Sequence, residues 1–342
     1  MTKNKKPITM NLKEIHMKKV TIQDVADWVG VSKTTISRYI NGRYDKMSDE
    51  TKSLIKSAIE ELDYHPNRQA QSLKSYRSFL IGLVVADISN LYTAYLIQAM
   101  FDALANSQYQ LIIMNANNNL LTERDAIQKL LNNNIDALIL QPVSSDSSNY
   151  DLLATSSFPI TLLDRTMKDQ EWAVVQTDNI ESTKRLARLL IDKGYQQVIH
   201  VTEPIKEVSP RFERYMAMKA EFEEKGTVEL WEVGVDFPLL SERLKVFEIS
   251  QKTAFFAANG NVLQKLLLNL KETSLVNSEL IGVTGFDDWR IGEVTTPALT
   301  AIEQNYNELG HTIIELTLDQ LNGEPVQLRH IIRNNLVERE SL

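Results

Sequence analysis

From residue 79 onward, near-continuous apolar runs alternate with amphipathic stretches, and the alternation begins a second time after about residue 177. Residues 79–86 (FLIGLVVA) read as a strand, 91–107 as a helix, 110–114 as a strand, 122–133 as a helix and 137–140 as a strand. A short helical stretch near 147–155 and a strand at 160–163 complete this first round. The second round has helices at 182–192 and 211–224, strands at 197–201 and 228–233, then 240–250, 254–258, 262–270 and 280–284 in the same rhythm. Strands without a polar face must be covered on both sides, which a parallel sheet wrapped by helices achieves. Two such doubly wound units in succession leave a cleft between them, beyond the strand ends, where ligands bind. The length of 342 residues suits about two domains with room for a small third.

That third part lies at the front. Residues 21–63 read as three short helices without a strand. Thr21 caps the first, with Asp24 three residues on as its capping-box partner, and Ile22, Val25, Ala26 and Val29 share one face. Gly30 ends that helix. Ser32 caps the second, which turns Ile36 and Ile40 inward. Asn41-Gly42 is a turn pair. Ser48 starts the third, whose expected buried stripe is Leu54, Ile55, Ala58, Ile59 and Leu62. Small Ala26 at a helix crossing and Gly30 in the turn have helix-turn-helix spacing, and Lys33, Thr34, Ser37 and Arg38 then occupy the outer face of the second helix. Charge divides along the same line. Residues 1–77 carry 15 Lys/Arg against 9 Asp/Glu, a net of +6, while the remainder carries 22 against 36, a net of −14. A basic head on an acidic body points to an anionic polymer as the head's partner.

Several function classes fall away. The chain has no Cys, hence no disulfide framework, thiolate metal site or Cys nucleophile. Its five His lack metal-ligand spacing, and neither GxSxG nor a P-loop is present. Asp287-Asp288 is not read as an acid/base pair, because neighbours at a strand end point in opposite directions. No apolar run approaches the length of a membrane span, and the basic N-terminus lacks the apolar stretch of a secretory signal. No enzyme activity, cofactor or metal is expected, and the cytoplasm is the expected location.

The segments Thr21-Ile22-Gln23-Asp24-Val25-Ala26, Val31-Ser32, Thr35-Ile36-Ser37-Arg38, Asn41-Gly42 and Tyr64-x-Pro66-Asn67 resemble the head of the lactose-repressor (LacI/GalR) family of bacterial transcription regulators. Ile81-Gly82-Leu83-Val84, Asp87-Ile88-Ser89-Asn90, Gly285-Phe286-Asp287-Asp288 and Pro297-Ala298-Leu299-Thr300-Ala301-Ile302 extend the resemblance over nearly the whole chain. It implies an all-α helix-turn-helix head and an α/β body of two doubly wound parallel-sheet subdomains, similar to a periplasmic binding protein. The implied division is an extension at 1–17, a DNA-binding domain at 18–66, a hinge helix and linker at 67–78, and an effector-binding and dimerisation body at 79–342. Chain crossings near Thr177, Glu303 and Ile332 give one subdomain 79–177 and 304–331, the other 178–303 and 332–342.

The resemblance also implies roles. Lys33 and Thr34 select the operator half-site, Arg38 reads a base, and Thr21, Thr35, Ser37, Asn41 and Asn67 belong to the DNA-contacting set. Leu73 wedges into the minor groove. Tyr92, Asp164, Arg165, Arg214, Phe237, Asn259 and Asp287 line the effector cleft, their chemistry suiting a polyhydroxylated ligand. The arginines add a hint of a sugar acid or sugar phosphate. The expected partners are near-palindromic double-stranded DNA, a small carbohydrate effector and a second copy of the chain; no membrane is expected. Two rivals are a family member controlled by a phosphorylated partner protein, and a sugar-binding transport component. Three departures from the family pattern stand out: Gly260 after Asn259, where the family commonly has an acidic residue; Ala217 where Gly is usual, a matter of packing; and Trp289 after Asp288.

Overall fold

The computed structural model describes residues 20–40, 42–45, 47–65, 77–234 and 238–342. Asn41, Asn67, Leu73 and Phe237, all expected site residues, lie outside these. The chain divides into two units, Met1–Ser78 and Phe79–Leu342.

The first unit holds α1 (Ile22–Val29), α2 (Lys33–Ile40) and α3 (Asp49–Glu61). Thr21 accepts the Asp24 amide while the Asp24 carboxylate accepts the Thr21 amide at 2.7 Å, so two of the amides that a helix start leaves unpaired are satisfied reciprocally. Gly30 closes α1 at φ 78°, in the left-handed region that a side chain disfavours. Ser32 accepts from the Thr35 amide at 3.2 Å and Ser48 from that of Thr51 at the same distance. Val25, Ala26, Ile36, Ile55, Ala58 and Tyr64 form the core that fixes α2 against its neighbours. Leu54 departs from the expected stripe and is exposed. One residue is 100° of helix turn, and the buried face runs through Ile55 and Ala58, with Ile59 and Leu62 at its margin. Thr21→Ala is expected to lower the head's stability by about 1 kcal/mol, read by thermal melting; an unchanged melting point would show the cap to be dispensable.

The second unit contains two six-stranded sheets. The first uses β1 (Leu80–Val85), β2 (Gln110–Asn115), β3 (Ala137–Leu140), β4 (Ile160–Leu163), β5 (Ala173–Thr177) and β11 (Arg329–Ile332), ordered β11-β5-β4-β3-β1-β2. The second uses β6 (Gln197–Thr202), β7 (Thr227–Glu232), β8 (Thr253–Ala257), β9 (Ile281–Phe286), β10 (Thr300–Glu303) and β12 (Asn335–Val337), ordered β12-β10-β9-β8-β6-β7. All pairings are parallel except β10 with β12. The helices are α4 (Leu91–Leu104), α5 (Leu120–Asn132), α6 (Asn179–Asp192), α7 (Ser209–Phe222), α8 (Pro238–Val246), α9 (Gly260–Leu270) and α10 (Tyr306–Asn322). Each sheet has a separate apolar cluster on either face, which explains why the central strands carry no polar alternation. Helix α10 returns to α4, where Gly310 admits the close approach: a Cβ there would stand 2.5 Å from the Ala99 Cβ.

The chain changes sheets after β5, after β10 and between β11 and β12. Two of these passages are tied together. Thr177 Oγ1 donates to Asn334 Oδ1, the Asn334 amide donates to Asp178 at 2.8 Å, and Arg185 reaches both Asp178 and the Asn334 carbonyl. Among the described residues, no helix is long and apolar enough to cross a membrane.

Candidate functional site

In a parallel sheet all strands end on the same side, so residues just after their C-terminal ends gather at one rim. Gln141 follows β3, Asp164 follows β4, Asp287 follows β9 and Gln304 follows β10, each by one residue. Together with Tyr92, Arg165, Arg214 and Asn259 they line one cavity between the two subdomains, about 70 Å³ in volume. It shares Asp87, Asn118, Arg165, Glu203 and Arg211 with a wider outer cavity of about 1230 Å³. Six of the seven expected effector residues therefore converge, the seventh, Phe237, being outside the described set. Gln141, Gln304, Arg211 and Asn90 were not foreseen; the strand-end rule reaches Gln141 from the strand at 137–140 and Gln304 once β10 is placed, whereas Asn90 and Arg211 sit at helix starts, which that rule does not reach.

The same topology brings helix starts to the cleft. Asn90, Asn119, Val208 and Asn259 are the N-cap residues of α4, α5, α7 and α9, and all four line one cavity or the other. Helix N-termini carry partial positive charge and unpaired amides, so each of these starts can hold an anionic or acceptor group. Asn259 spends its side chain on the fold, accepting from the Val262 amide at 3.0 Å and donating to Glu203 at 2.6 Å. Glu203 also pairs with Arg211 at 3.2 Å.

Arg214 is the buried centre of the site. Its Nε donates to Asn179 at 2.8 Å and its Nη1 to the Ala258 carbonyl at 2.6 Å, and its guanidinium lies 3.5 Å from the Phe286 ring centroid. Burial pushes its pKa down, and the charges of Asp164 and Asp287 oppose that. Burial likewise drives the Tyr92 hydroxyl well up, with Asp164 adding to it. The Asp287 carboxyl is pushed up by burial to about 7, against the pull of Arg214. Asp164 and Asp287 both hold left-handed backbone, φ 64° and 75°, strain of the kind that gathers at working sites.

Five buried polar atoms lining this cavity make no hydrogen bond among the described residues: Tyr92 Oη, Asp164 Oδ1, Arg165 Nε, Asp287 Oδ1 and Gln304 Oε1. Such atoms cost free energy unless something binds them. Across the mouth, Ser144 donates to Glu207 at 3.1 Å and the Thr166 amide donates to Ser209 at 2.9 Å, so each subdomain holds the other. The acid/base pair rejected from the sequence is split here too. Asp287 accepts from the Trp289 indole at 2.9 Å, whereas Asp288 turns to Arg339 at 3.2 Å.

In the head, Lys33, Thr34 and Arg38 stand exposed on α2; Thr34 and Arg38 lie opposite the buried Ile36, and Lys33 is at the helix start. Thr35 is half-buried, its hydroxyl 3.0 Å from that of Ser32, and Ser37 is half-buried. Thr21 is exposed but engaged as the cap of α1.

Comparison with known proteins agrees with this architecture. Residues 21–67 match the bacterial regulatory proteins of the lacI family. Residues 78–234 match the periplasmic binding proteins and sugar binding domain of the LacI family, and 187–342 a periplasmic binding protein-like domain. The HTH-type transcriptional regulator KdgR of Bacillus subtilis (strain 168) is 36% identical over 311 residues, covering 89% of this chain and 92% of its own. The regulator PtxS of Pseudomonas plecoglossicida is 29% identical over 329 residues, covering 94% and 96%. A lac repressor dimer bound to operator and the anti-inducer ONPF shares the fold, with a TM-score of 0.83 at 22% identity over 95% of this chain and 99% of that one. A CelR–cellobiose complex gives 0.65 at 23% identity over 94% and 99%. The chain belongs to the lacI family of bacterial regulatory proteins, transcription regulators with a helix-turn-helix DNA-binding head and a periplasmic-binding-protein-like body.

Proposed function

We propose that this regulator is a repressor that binds a near-palindromic operator as a dimer, and that a small polyhydroxylated anion in the body's cleft controls its DNA affinity. The observation that carries the effector is the ring of five buried polar atoms without a partner around the cavity. Three of them, on Asp164, Asp287 and Gln304, are acceptors, which sugar hydroxyls satisfy. The Arg165 Nε donor beside four helix N-termini supplies the anionic preference. A sugar acid or sugar phosphate carries both features, and among the structural neighbours CelR is a cellobiose complex. Because the ligand touches strand ends of both sheets, it binds one relative pose of the subdomains better than another, which is what an allosteric effector requires.

The test is calorimetric titration of the full chain with D-gluconate and with D-glucose. The charged sugar is expected to bind at least tenfold more tightly; equal affinities remove the anionic part of the proposal. On the DNA side, Lys33 and Thr34 set half-site preference because they are exposed at the start of α2, while the phosphate contacts supply affinity. Lys33→Ala is expected to cost about 1–3 kcal/mol on the best site and to relax preference at one or two positions. Selection from a random duplex library checks this, and an unchanged consensus contradicts the assignment.

A further inference from the structure

Asp287 stands on the loop that leaves β9, and the loop is strained: Asp287, Trp289 and Arg290 hold φ of 75°, 50° and 63°. Two groups pin it. Asp288, almost fully buried, accepts from Arg339, which also bridges to Glu303 at 2.7 Å. Trp289 is buried, and its Nε1 donates to Asp287 Oδ2 at 2.9 Å. The other oxygen, Asp287 Oδ1, has no partner among the described residues, and Asp287 lines the cavity. Gly260 faces the indole from the start of α9. A Cβ there would stand 2.3 Å from Trp289 Cε2, 2.4 Å from Cζ2 and 2.7 Å from the Asp287 carbonyl oxygen. The indole therefore fills the volume that a side chain at 260 needs, and cannot retreat without giving up its hydrogen bond.

We infer that Trp289 is a positioning residue for effector recognition: its N–H fixes one oxygen of Asp287 and leaves the other as acceptor for a ligand hydroxyl, and Gly260 is what lets the indole reach. This deepens the effector proposal and rests on it for the ligand. Neither Trp289 nor Gly260 is among the residues lining the cavity, so both act through Asp287. The groups that face Asp287 are Arg214 on α7, Tyr92 on α4, Gln304 after β10, and Asp288 and Trp289 on its own loop. Burial and Asp288 favour the neutral carboxyl; Arg214, the indole N–H and Gln304 favour the carboxylate, leaving the titration near pH 7. Removing the N–H moves it upward. A carboxylate that accepts from a ligand hydroxyl then loses its ligand at a higher pH than in the wild type.

The test uses the full chain with ¹⁵N-labelled tryptophan. The Trp289 indole signal, identified by its loss in Trp289→Phe, is expected to shift with one inflection near pH 7. Asp287→Asn should flatten that inflection, and Gly260→Ala should displace the signal and raise the inflection by half a unit or more. A signal indifferent to pH and to both substitutions overturns the inference. In calorimetry with D-gluconate, Trp289→Phe is expected to bind at least fivefold more weakly than wild type at pH 7, with the deficit shrinking toward pH 8.5. Wild-type affinity in Trp289→Phe, or a deficit equal at every pH, overturns the positioning role. If D-gluconate fails to bind the wild type, the anionic-effector proposal falls, while the indole titration still decides the pair.

Discussion

Replacing Arg214 by alanine is expected to lower the body's unfolding free energy by about 3–5 kcal/mol, the cost of stripping a buried charge cluster of its cation. Arg214 is 4% exposed and makes two hydrogen bonds to its own subdomain, to Asn179 and to the Ala258 carbonyl, besides stacking on Phe286. Its loss strands those two acceptors, opens a cavity and leaves Asp164 and Asp287 facing each other with less neutralisation. An arginine that served only the effector would leave the ligand-free protein unmoved. Arg214→Lys keeps the charge but loses the fork and the stack, so it should fall between wild type and alanine. Urea unfolding followed through the body's transition measures this, and a loss below 1 kcal/mol for Arg214→Ala contradicts it. Any effect of Arg214→Ala on effector response should be read at a temperature where the body remains folded.

Asp287→Asn is expected to act in the opposite direction. Burial raises the Asp287 carboxyl from 3.8 to about 7, so the folded state holds a proton that the unfolded chain releases. Stability from this group therefore falls as pH rises from about 4 to about 7 and stays low above that. Roughly three units at 1.36 kcal/mol each make the ionised carboxylate a liability of about 4 kcal/mol at pH 8. The asparagine carries no charge, so the variant should exceed wild type by an amount approaching that figure at pH 8 and vanishing near pH 4. His200 runs the other way. Fully buried among Tyr215 and Phe256, and with neither ring nitrogen partnered among the described residues, it is held down to about 3, so it costs stability as pH falls below about 6.5. Because both proteins contain His200, the difference between their melting curves isolates Asp287. A pH-independent difference refutes the linkage. The same carboxylate is the acceptor proposed for the ligand, so on that proposal the stabilised variant should lose effector affinity, as expected when strain and unpaired charge are kept for binding.

The head was legible almost residue by residue because its structure is local. A capping box, a left-handed glycine and a three-residue apolar spacing each act within one or two turns, and Thr21, Asp24, Gly30, Ser32 and Ser48 do in the structure what their chemistry implies. The long apolar strands were equally plain. The strands that went unread, β5, β10, β11 and β12, have three to five residues. Equally short β3 and β4 are nearly all apolar, whereas these mix in Gln176, Thr177, Thr300, Glu303, Arg329, His330 and Asn335, so no apolar run shows, and β11, with only Ile332 buried, lies at a sheet edge. These are the strands next to the crossings between subdomains, so the passage of the chain was legible only through resemblance. Gln304 was invisible for the same reason, since it gains meaning only once β10 before it is placed; Gln141 follows a strand that is plain in the sequence, at 137–140, but an uncharged polar residue there belongs to no motif. The Gly260–Trp289 contact joins positions 29 residues apart, and no pattern in one sequence couples them.

The central claim is that filling this cleft changes DNA binding. It is tested most directly by the affinity of the full chain for a palindromic duplex selected from random DNA, measured by fluorescence anisotropy at fixed salt, with and without D-gluconate or D-glucose. Salt must be held constant because phosphate contacts make all such affinities salt-dependent. A change of at least tenfold with D-gluconate, little change with D-glucose, and no change in Asp287→Asn is the predicted result. D-gluconate that binds the body by calorimetry yet leaves the DNA affinity of the wild type unaltered would contradict the account.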